Sequence, residues 1–364
     1  MSVAATPAVL RAASALGDGP ALIFDLGVMK ARMATARVAA HEAGVALLYA
    51  VKAFPEPLAV ALAAEHLDGL DVAGPEEQRA ALALPPTTIS VTWPGDVDVG
   101  LLARLAARHQ VTAVCESAAQ LAATASIGGV ADRLRIAVRL AAGDDSRFGV
   151  APEELGALTR VAGDRVRALH VHGGALATSP ATIAERARRA IAAAAAAGLA
   201  LEQLDLGGSL HGFVLGQATS GQSTLAEALA AARAAVPPHV RLVFEPGRLW
   251  TEHAGFACGR VLAARERDGR QVRVLALSRL CHLRWSTPKL VAPPPRPGEP
   301  RTAVTLLGAT CCEDDVIADA LVPPDHLAAL EVGARVVLAG VTGYAAGWNR
   351  AFAGVPAAHV ITVA

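Results

Sequence analysis

The run Leu48-Tyr49-Ala50-Val51 leads straight into a lysine, Lys52, and Ala53-Phe54-Pro55-Glu56-Pro57 follows. A short apolar run with aromatic and β-branched members reads as a buried strand. Lys52 then sits at the strand's exit, where its stem and amine are expected to be buried. Burial disfavours an ammonium, lowers its pKa and makes the amine a nucleophile toward carbonyls. The plain alternative is a lysine that snorkels to the surface at a strand end. Other reactive side chains recur at comparable places: Asp71 with Glu76 and Glu77 just beyond; Arg139; His170 and His172 ahead of Gly173-Gly174; Asp205-Leu206-Gly207-Gly208-Ser209; and Glu245-Pro246-Gly247-Arg248.

The elements that must position these residues alternate. A strand is expected at 20–25 and a helix at 28–43. Eight strands follow, at 46–51, 69–73, 88–92, 111–115, 134–140, 167–171, 203–206 and 241–244. Ala/Leu/Glu/Arg-rich helical stretches lie between them, for example at 58–65, 99–108, 152–162 and 180–197. Eight strands alternating with helices predict an α/β fold with a parallel TIM-like (β/α)8 barrel over residues 21–250. An open doubly wound sheet is the runner-up, but no GxGxxG follows the first strand. After Trp250 helical periodicity disappears, and short strands at 255–264, 272–277, 303–307, 335–339 and 359–363 predict an all-β domain over 251–364. A Pro-rich stretch at 293–300 interrupts them, and residues 1–20 are candidates to join that domain.

A β/α barrel does its chemistry at the C-terminal ends of its strands, and the loops after strands seven and eight often bind phosphate through backbone N–H groups. Gly207-Gly208 and Gly247-Arg248 fall on those two loops. Tight turns alone would also explain the glycines. A phosphate cradle, a lysine and a neighbouring acid, Glu245, are what pyridoxal phosphate requires: its aldehyde condenses with lysine, and its ring nitrogen needs an anionic partner. His172 is placed to stack on such a ring, although a lone histidine on an apolar strand is often only a satisfied core residue.

The chain has 364 residues, 53% of them hydrophobic, with 33 Lys+Arg balanced by 33 Asp+Glu. That balance gives no basic field for nucleic acid. The cysteines Cys115, Cys258, Cys281, Cys311 and Cys312 form no CxxC pair and read as reduced thiols of a cytoplasmic protein. No apolar run reaches membrane-spanning length, and 1–16 lacks the pattern of a secretion signal. No metal ligand set is assigned.

Together, Tyr49-Ala50-Val51-Lys52-Ala53-Phe54-Pro55, Asp71-Val72-Ala73, Arg147-Phe148-Gly149, His170-Val171-His172, Asp205-Leu206-Gly207-Gly208, Glu245-Pro246-Gly247-Arg248, Cys311 and Gly343-Tyr344 resemble the fold-type III pyridoxal-phosphate decarboxylases. These include the ornithine, arginine, diaminopimelate and carboxynorspermidine enzymes. The resemblance runs in order from about residue 20 to the end. It implies a barrel followed by a β-domain, as in alanine racemase and ornithine decarboxylase, working as a head-to-tail homodimer with active sites at the interface. It implies Lys52 as the Schiff-base lysine, His172 stacking on the cofactor and Glu245 on the pyridine nitrogen. Gly207, Gly208, Gly247, Arg248 and Tyr344 would hold the phosphate. Asp71, Glu77 and Arg139 would complete the cofactor site. Cys311, from the partner subunit, would reprotonate the substrate carbon after carbon dioxide leaves, and Asp315 matches an acid that binds a distal amine.

The departures concern the substrate. A serine usual three residues after the stacking histidine is Ala175, and the lysine of the Lys-Phe-Gly element is Arg147. The β-domain segment that usually carries an Asp-Gly pair for the distal amine reads Leu277-Ser278-Arg279-Leu280-Cys281-His282-Leu283-Arg284-Trp285. Bases replace the acid. Arg279 or Arg284 could hold a distal carboxylate bidentately, while a second ammonium would be repelled; equally, both could face solvent or a dimer interface. The expected activity is α-decarboxylation of an amino acid or amino-acid conjugate, one with a distal carboxylate being a candidate, in a biosynthetic pathway. The alternatives are an amino-acid racemase on the same architecture and a non-catalytic carrier of the cofactor. A racemase commonly needs a second base such as tyrosine, and the only tyrosines, Tyr49 and Tyr344, have other assignments.

Overall fold

The computed structural model describes residues 4–130, 132–143, 145–173, 179–292 and 298–364. Gly174, Ala175 and most of the Pro-rich stretch lie outside them. The chain divides into two compact units, one formed by Lys30–Leu249 and the other by Met1–Met29 with Trp250–Ala364.

In chain order the strands begin with β1 (Ala21–Asp25), β2 (Val45–Ala50), β3 (Gly69–Val72), β4 (Thr88–Thr92), β5 (Gln110–Cys115), β6 (Leu134–Leu140), β7 (Val166–Val171), β8 (Gln203–Asp205) and β9 (Arg241–Phe244). Strands β2 to β9 close into a parallel barrel, β9 pairing with β2 through Val45↔Leu242 and Leu47↔Phe244. The expected barrel is therefore present. Its strands are buried on both faces, as β3 (buried throughout) and β2 (buried at five of six positions) illustrate, because helices cover the outside of a parallel sheet. Gly69 is required where β3 meets β4: a Cβ there would overlap the Thr88 carbonyl oxygen.

The helices start where side chains can cap them. Asp98 accepts from the Leu101 N–H at 2.9 Å ahead of Val99–Arg108, and Ser117 accepts from Gln120 at 3.2 Å ahead of Ala118–Ala125. Thr224 and Glu227 form a reciprocal capping box ahead of Leu225–Ala234. Such caps satisfy N–H groups that have no partner within the helix.

The second unit is a sheet. Its further strands are β10 (Gly255–Arg267), β11 (Arg270–Leu275), β12 (Lys289–Leu290), β13 (Thr302–Leu307), β14 (Val316–Val322), β15 (Arg335–Ala339) and β16 (His359–Val363). They run in the order β12-β15-β10-β11-β13-β14. Strand β1, which the sequence boundary at residue 21 assigns to the barrel, instead pairs antiparallel with β10 and parallel with β16. Its five residues are all buried, and the apolar run Ala21–Phe24 carries no local mark of which sheet will take it. Several elements were not expected, β14 and an N-terminal helix among them. Strand β14 alternates buried and exposed residues along part of its length, and the helix Pro7–Ala15 places Val9 and Ala13 against Ile23, Phe256 and Ala339. Val9 and Ile23 are fully buried, each worth about 1.5–3 kcal/mol of apolar transfer.

Candidate active site

Lys52 lies in a single 3-10 turn, Val51–Ala53, at the end of β2. Its amine pairs with the Asp71 carboxylate of β3, and the Lys52 side chain remains 38% exposed while Asp71 is fully buried. The expected burial of the lysine is thus carried by its partner. Burial, and then the charge of Glu245, push the Asp71 carboxyl up to about 6, against the pull of Lys52. Glu77 accepts the Ala73 N–H at 2.7 Å, and its burial raises its carboxyl.

His170, a fully buried residue of β7, lies two residues before His172. Their rings are parallel within 7° at 6.3 Å. His170 Nε2 lies 3.3 Å from Glu245 Oε2, both side chains being almost wholly buried. Burial opposes ionisation of Glu245, but His170, Lys52 and the Ser90 hydroxyl outweigh it and hold this carboxyl below the usual range. The neighbouring acid behaves oppositely. Burial, then Glu245, drive Asp205 well above the usual range, and Asp205 is hydrogen-bonded to Glu245. Two buried carboxyl groups in contact keep one proton between them; here Asp205 holds it and Glu245 is the anion. Burial, then His170, push His172 down to about 3, so its ring is neutral. Its Nδ1 accepts the Gly208 N–H at 3.3 Å.

The glycine loop works differently from the sequence expectation. The Gly207 N–H donates to Asp205 Oδ1 at 2.8 Å and the Gly208 N–H to His172. Both amides therefore hold the site's own side chains. What the glycines contribute is close approach. Gly207 has φ 65°, and a Cβ there would collide with the His172 ring; a Cβ on Gly208 would come within 3.0 Å of the Glu245 carbonyl oxygen. Gly247 and Arg248 follow β9, Arg248 opening the short helix Arg248–Thr251. The Arg139 guanidinium lies 4.7 Å over the Phe148 ring. Burial lowers its pKa, while Glu116, Glu245 and Asp71 hold it charged.

The barrel unit thus gathers Lys52, Asp71, Glu77, Arg139, His172, Gly207, Gly208, Glu245, Gly247 and Arg248 at its strand ends. Two buried acceptors there, Asp71 Oδ1 and Glu245 Oε1, have no hydrogen-bond donor among the described residues. An ionised acid with an open acceptor, a flat neutral imidazole and a lysine fit a protonated pyridine ring bearing an aldehyde.

The matching family is described as the pyridoxal-dependent decarboxylase, pyridoxal binding domain, and it covers residues 26–252. The chain belongs to this family. It is an enzyme that uses pyridoxal phosphate, and the family places it with decarboxylases. Solved structures share the fold. The arginine decarboxylase of Paramecium bursaria Chlorella virus is 20% identical, with a TM-score of 0.77, over 97% of this chain and 98% of that one. The lysine/ornithine decarboxylase of Vibrio vulnificus complexed with cadaverine is 23% identical, with a TM-score of 0.77, over 97% of each chain. A diaminopimelate decarboxylase variant from Helicobacter pylori complexed with L-lysine is 17% identical, with a TM-score of 0.78, over 98% of this chain and 94% of that one. No curated protein sequence matches the chain.

The remaining expected residues belong to the sheet unit. Asp315 is buried, and its carboxylate accepts the Arg279 N–H at 2.7 Å, the Thr310 N–H at 3.2 Å and the Thr310 hydroxyl at 2.7 Å. The Arg279 guanidinium reaches the Ile317 carbonyl at 3.4 Å. Arg284 stacks over Trp348 at 4.4 Å, and Tyr344 meets Trp285 edge-on at 5.2 Å. Cys311 is exposed and Cys312 half-buried. Sequence reasoning assigned no role to His170, Ser90, Asp205, Trp285 or Trp348. The two-residue spacing of His170 and His172 on one strand was a usable sign for the first of these.

Proposed function

We propose that this enzyme removes the α-carboxylate of an amino acid, or of an amino-acid conjugate, whose far end carries a carboxylate instead of an amine. The observation that carries this reading is the contrast between Asp315 and Arg284. The acid that matches the distal-amine ligand has its oxygens engaged by Arg279 and Thr310. The Arg284 guanidinium has no carboxylate partner among the described residues. A substrate ammonium would meet cations there, and a carboxylate would be held.

The cofactor supplies the electron sink for the pair left on the α-carbon. Lys52, oriented by Asp71, is the amine that anchors it. Glu245, kept ionised by His170, holds the ring nitrogen's proton in place. Neutral His172 offers a flat face without adding positive charge. Cys311, as the proton donor to the α-carbon, is part of the proposal, as are a homodimer and a biosynthetic pathway. No helix among the described residues is long and apolar enough to cross a membrane.

Proton NMR of the cofactor-loaded protein in deuterated water, with acidic, basic and conjugated amino acids, tests the reading. Loss of the α-carboxylate with one deuterium retained is expected for acidic substrates. A preference for basic ones refutes the distal carboxylate, and so does an unchanged KM in both Arg279→Ala and Arg284→Ala. A Cys311→Ala variant with wild-type rate and only the normal product removes Cys311 from proton delivery.

A further inference from the structure

Within the barrel unit, a cavity of about 410 Å³ lies between the ends of β6 and β7 and the helix Pro180–Ala196. Leu140, Pro152, Val171 and Ala190 give it apolar walls. Leu140 and Val171 directly follow Arg139 and His170, and successive strand residues face opposite sides of a sheet. The cavity therefore lies behind the cofactor residues, on the helix side of the barrel wall.

Its charged groups are Glu185, Arg186 and Arg189. Glu185 is already engaged, because the Arg188 Nε–H and Nη2–H donate to one of its oxygens at 3.0 and 2.8 Å. Arg189, one turn beyond, reaches the Ala142 carbonyl at 3.5 Å. Arg186 is different. Its Nη1 is buried without a hydrogen-bond acceptor, and it has no acid partner among the described residues. Burial accordingly lowers its pKa, and no neighbouring acid among those residues opposes the shift. A buried N–H on a charged group is costly to leave without an acceptor.

Gly173 is fitted to this cation. A Cβ there would collide with the Arg186 guanidinium, so the guanidinium lies against the bare backbone of the residue after His172. The chain forgoes a side chain at that position and seats a cation that the described residues leave unpaired. A buried guanidinium with a free fork, a second arginine beside it and apolar walls make a receptor for an anion.

We propose that Arg186, with Arg189, anchors a small organic anion, a carboxylate or phosphate on an apolar body, in this cavity. The planar guanidinium fork matches either group through two parallel hydrogen bonds. The apolar walls cover the body of the ligand, and the cavity is within the roughly 300–1,000 Å³ of small-molecule sites. The site is separate from the cofactor residues and does not depend on which amino acid the enzyme decarboxylates.

The test is calorimetric titration of the cofactor-loaded enzyme with benzoate, phenyl phosphate, inorganic phosphate and benzamide. Benzoate or phenyl phosphate is expected to bind once per chain, about tenfold more tightly than benzamide, which keeps the ring without the charge. Phenyl phosphate is expected to bind more tightly than inorganic phosphate, which lacks the apolar body. The tighter of the two organic anions identifies the preferred head group. Arg186→Leu is expected to weaken that anion by about tenfold or more, with the cofactor's absorption spectrum unchanged. Arg186→Lys keeps the charge without the fork, is expected to weaken it as well, and carries the same test if the leucine variant does not fold. No binding of either organic anion, equal affinity for benzamide, or equal affinity for inorganic phosphate and phenyl phosphate overturns the proposal. So does binding that is unaltered in the Arg186 variants, and an anion that then also perturbs the cofactor's absorption is held among the cofactor residues instead.

Discussion

The strand ends of the barrel and the aromatic patch of the sheet unit both concentrate charge, but they treat it in opposite ways. In the barrel, Asp71, Glu245, Asp205 and His170 are almost wholly buried, and each is tied to another group of the site. At the patch, Arg284 and Arg350 stack on exposed indoles and have no acid partner among the described residues. A buried network must be satisfied in advance, because an unpaired charge there is too costly to keep. An exposed cation can wait for its partner. The barrel's charges are therefore arranged in advance, while those of the patch are left open to a partner.

The largest effect is expected where that prearrangement anchors the cofactor. Lys52→Ala removes the amine and should abolish decarboxylation together with the visible absorption of covalently held cofactor. Binding of small carboxylates should survive, and its loss would break the division drawn here. Glu245→Gln keeps the shape and removes the anion. It should lower kcat by about 10²–10³, as loss of one preorganised electrostatic partner does, with little change in KM. A KM effect larger than the kcat effect would mean that Glu245 reads the substrate.

Smaller, and visible without turnover, is the titration of Asp71. Its carboxyl stands at about 6 in the folded protein against 3.8 in the free residue. Below pH 3.8 both folded and unfolded chains carry the proton. As pH rises from there to 6 the unfolded chain releases it first, so stability is lost across that window. At about 1.4 kcal/mol per unit, the loss by pH 7 is about 3 kcal/mol. Asp71→Asn cannot titrate. The difference between wild type and variant in denaturant midpoint, followed from pH 4 to pH 7, should shift in the variant's favour. A constant difference would show that Lys52 keeps Asp71 ionised throughout.

Much of the barrel was legible because each of its strands is an apolar run between turn and helix signals, and Lys52, His172 and Glu245 stand at the ends of such runs. The partner of Ala21–Asp25 was not legible. Its neighbours in the sheet, Gly255–Arg267 and His359–Val363, are far away in sequence, and the four buried apolar positions Ala21–Phe24 suit either sheet. The inward-turned amides of Gly207 and Gly208 escaped for a related reason: a glycine pair announces close approach but not which way its N–H groups face. Trp285, at φ 59°, was hidden more deeply, since the usual sign of a left-handed turn residue is glycine. A tryptophan there is visible only once Tyr344 and Trp348 are seen against it.

The smallest predicted effect bears most directly on how the barrel manages its charge. If Asp205 carries the shared proton, it acts as a neutral donor to Glu245 and as an acceptor from Gly207. Asparagine can do both, with its amide N–H toward Glu245 and its oxygen toward the Gly207 amide. Asp205→Asn should therefore retain nearly all stability, cofactor spectrum and kcat. Asp205→Ala strands the Gly207 N–H in a buried place and should cost about 1–3 kcal/mol, read as a lowered unfolding midpoint. Were Asp205 ionised instead, Asp205→Asn would remove a charge next to Glu245, and the pH profile of kcat would move while Asp205→Ala moved it equally. The pair of variants thus separates a proton held in common from two anions forced together, and in the first arrangement Glu245 is the one anion of the pair, the state its proposed role at the ring nitrogen uses.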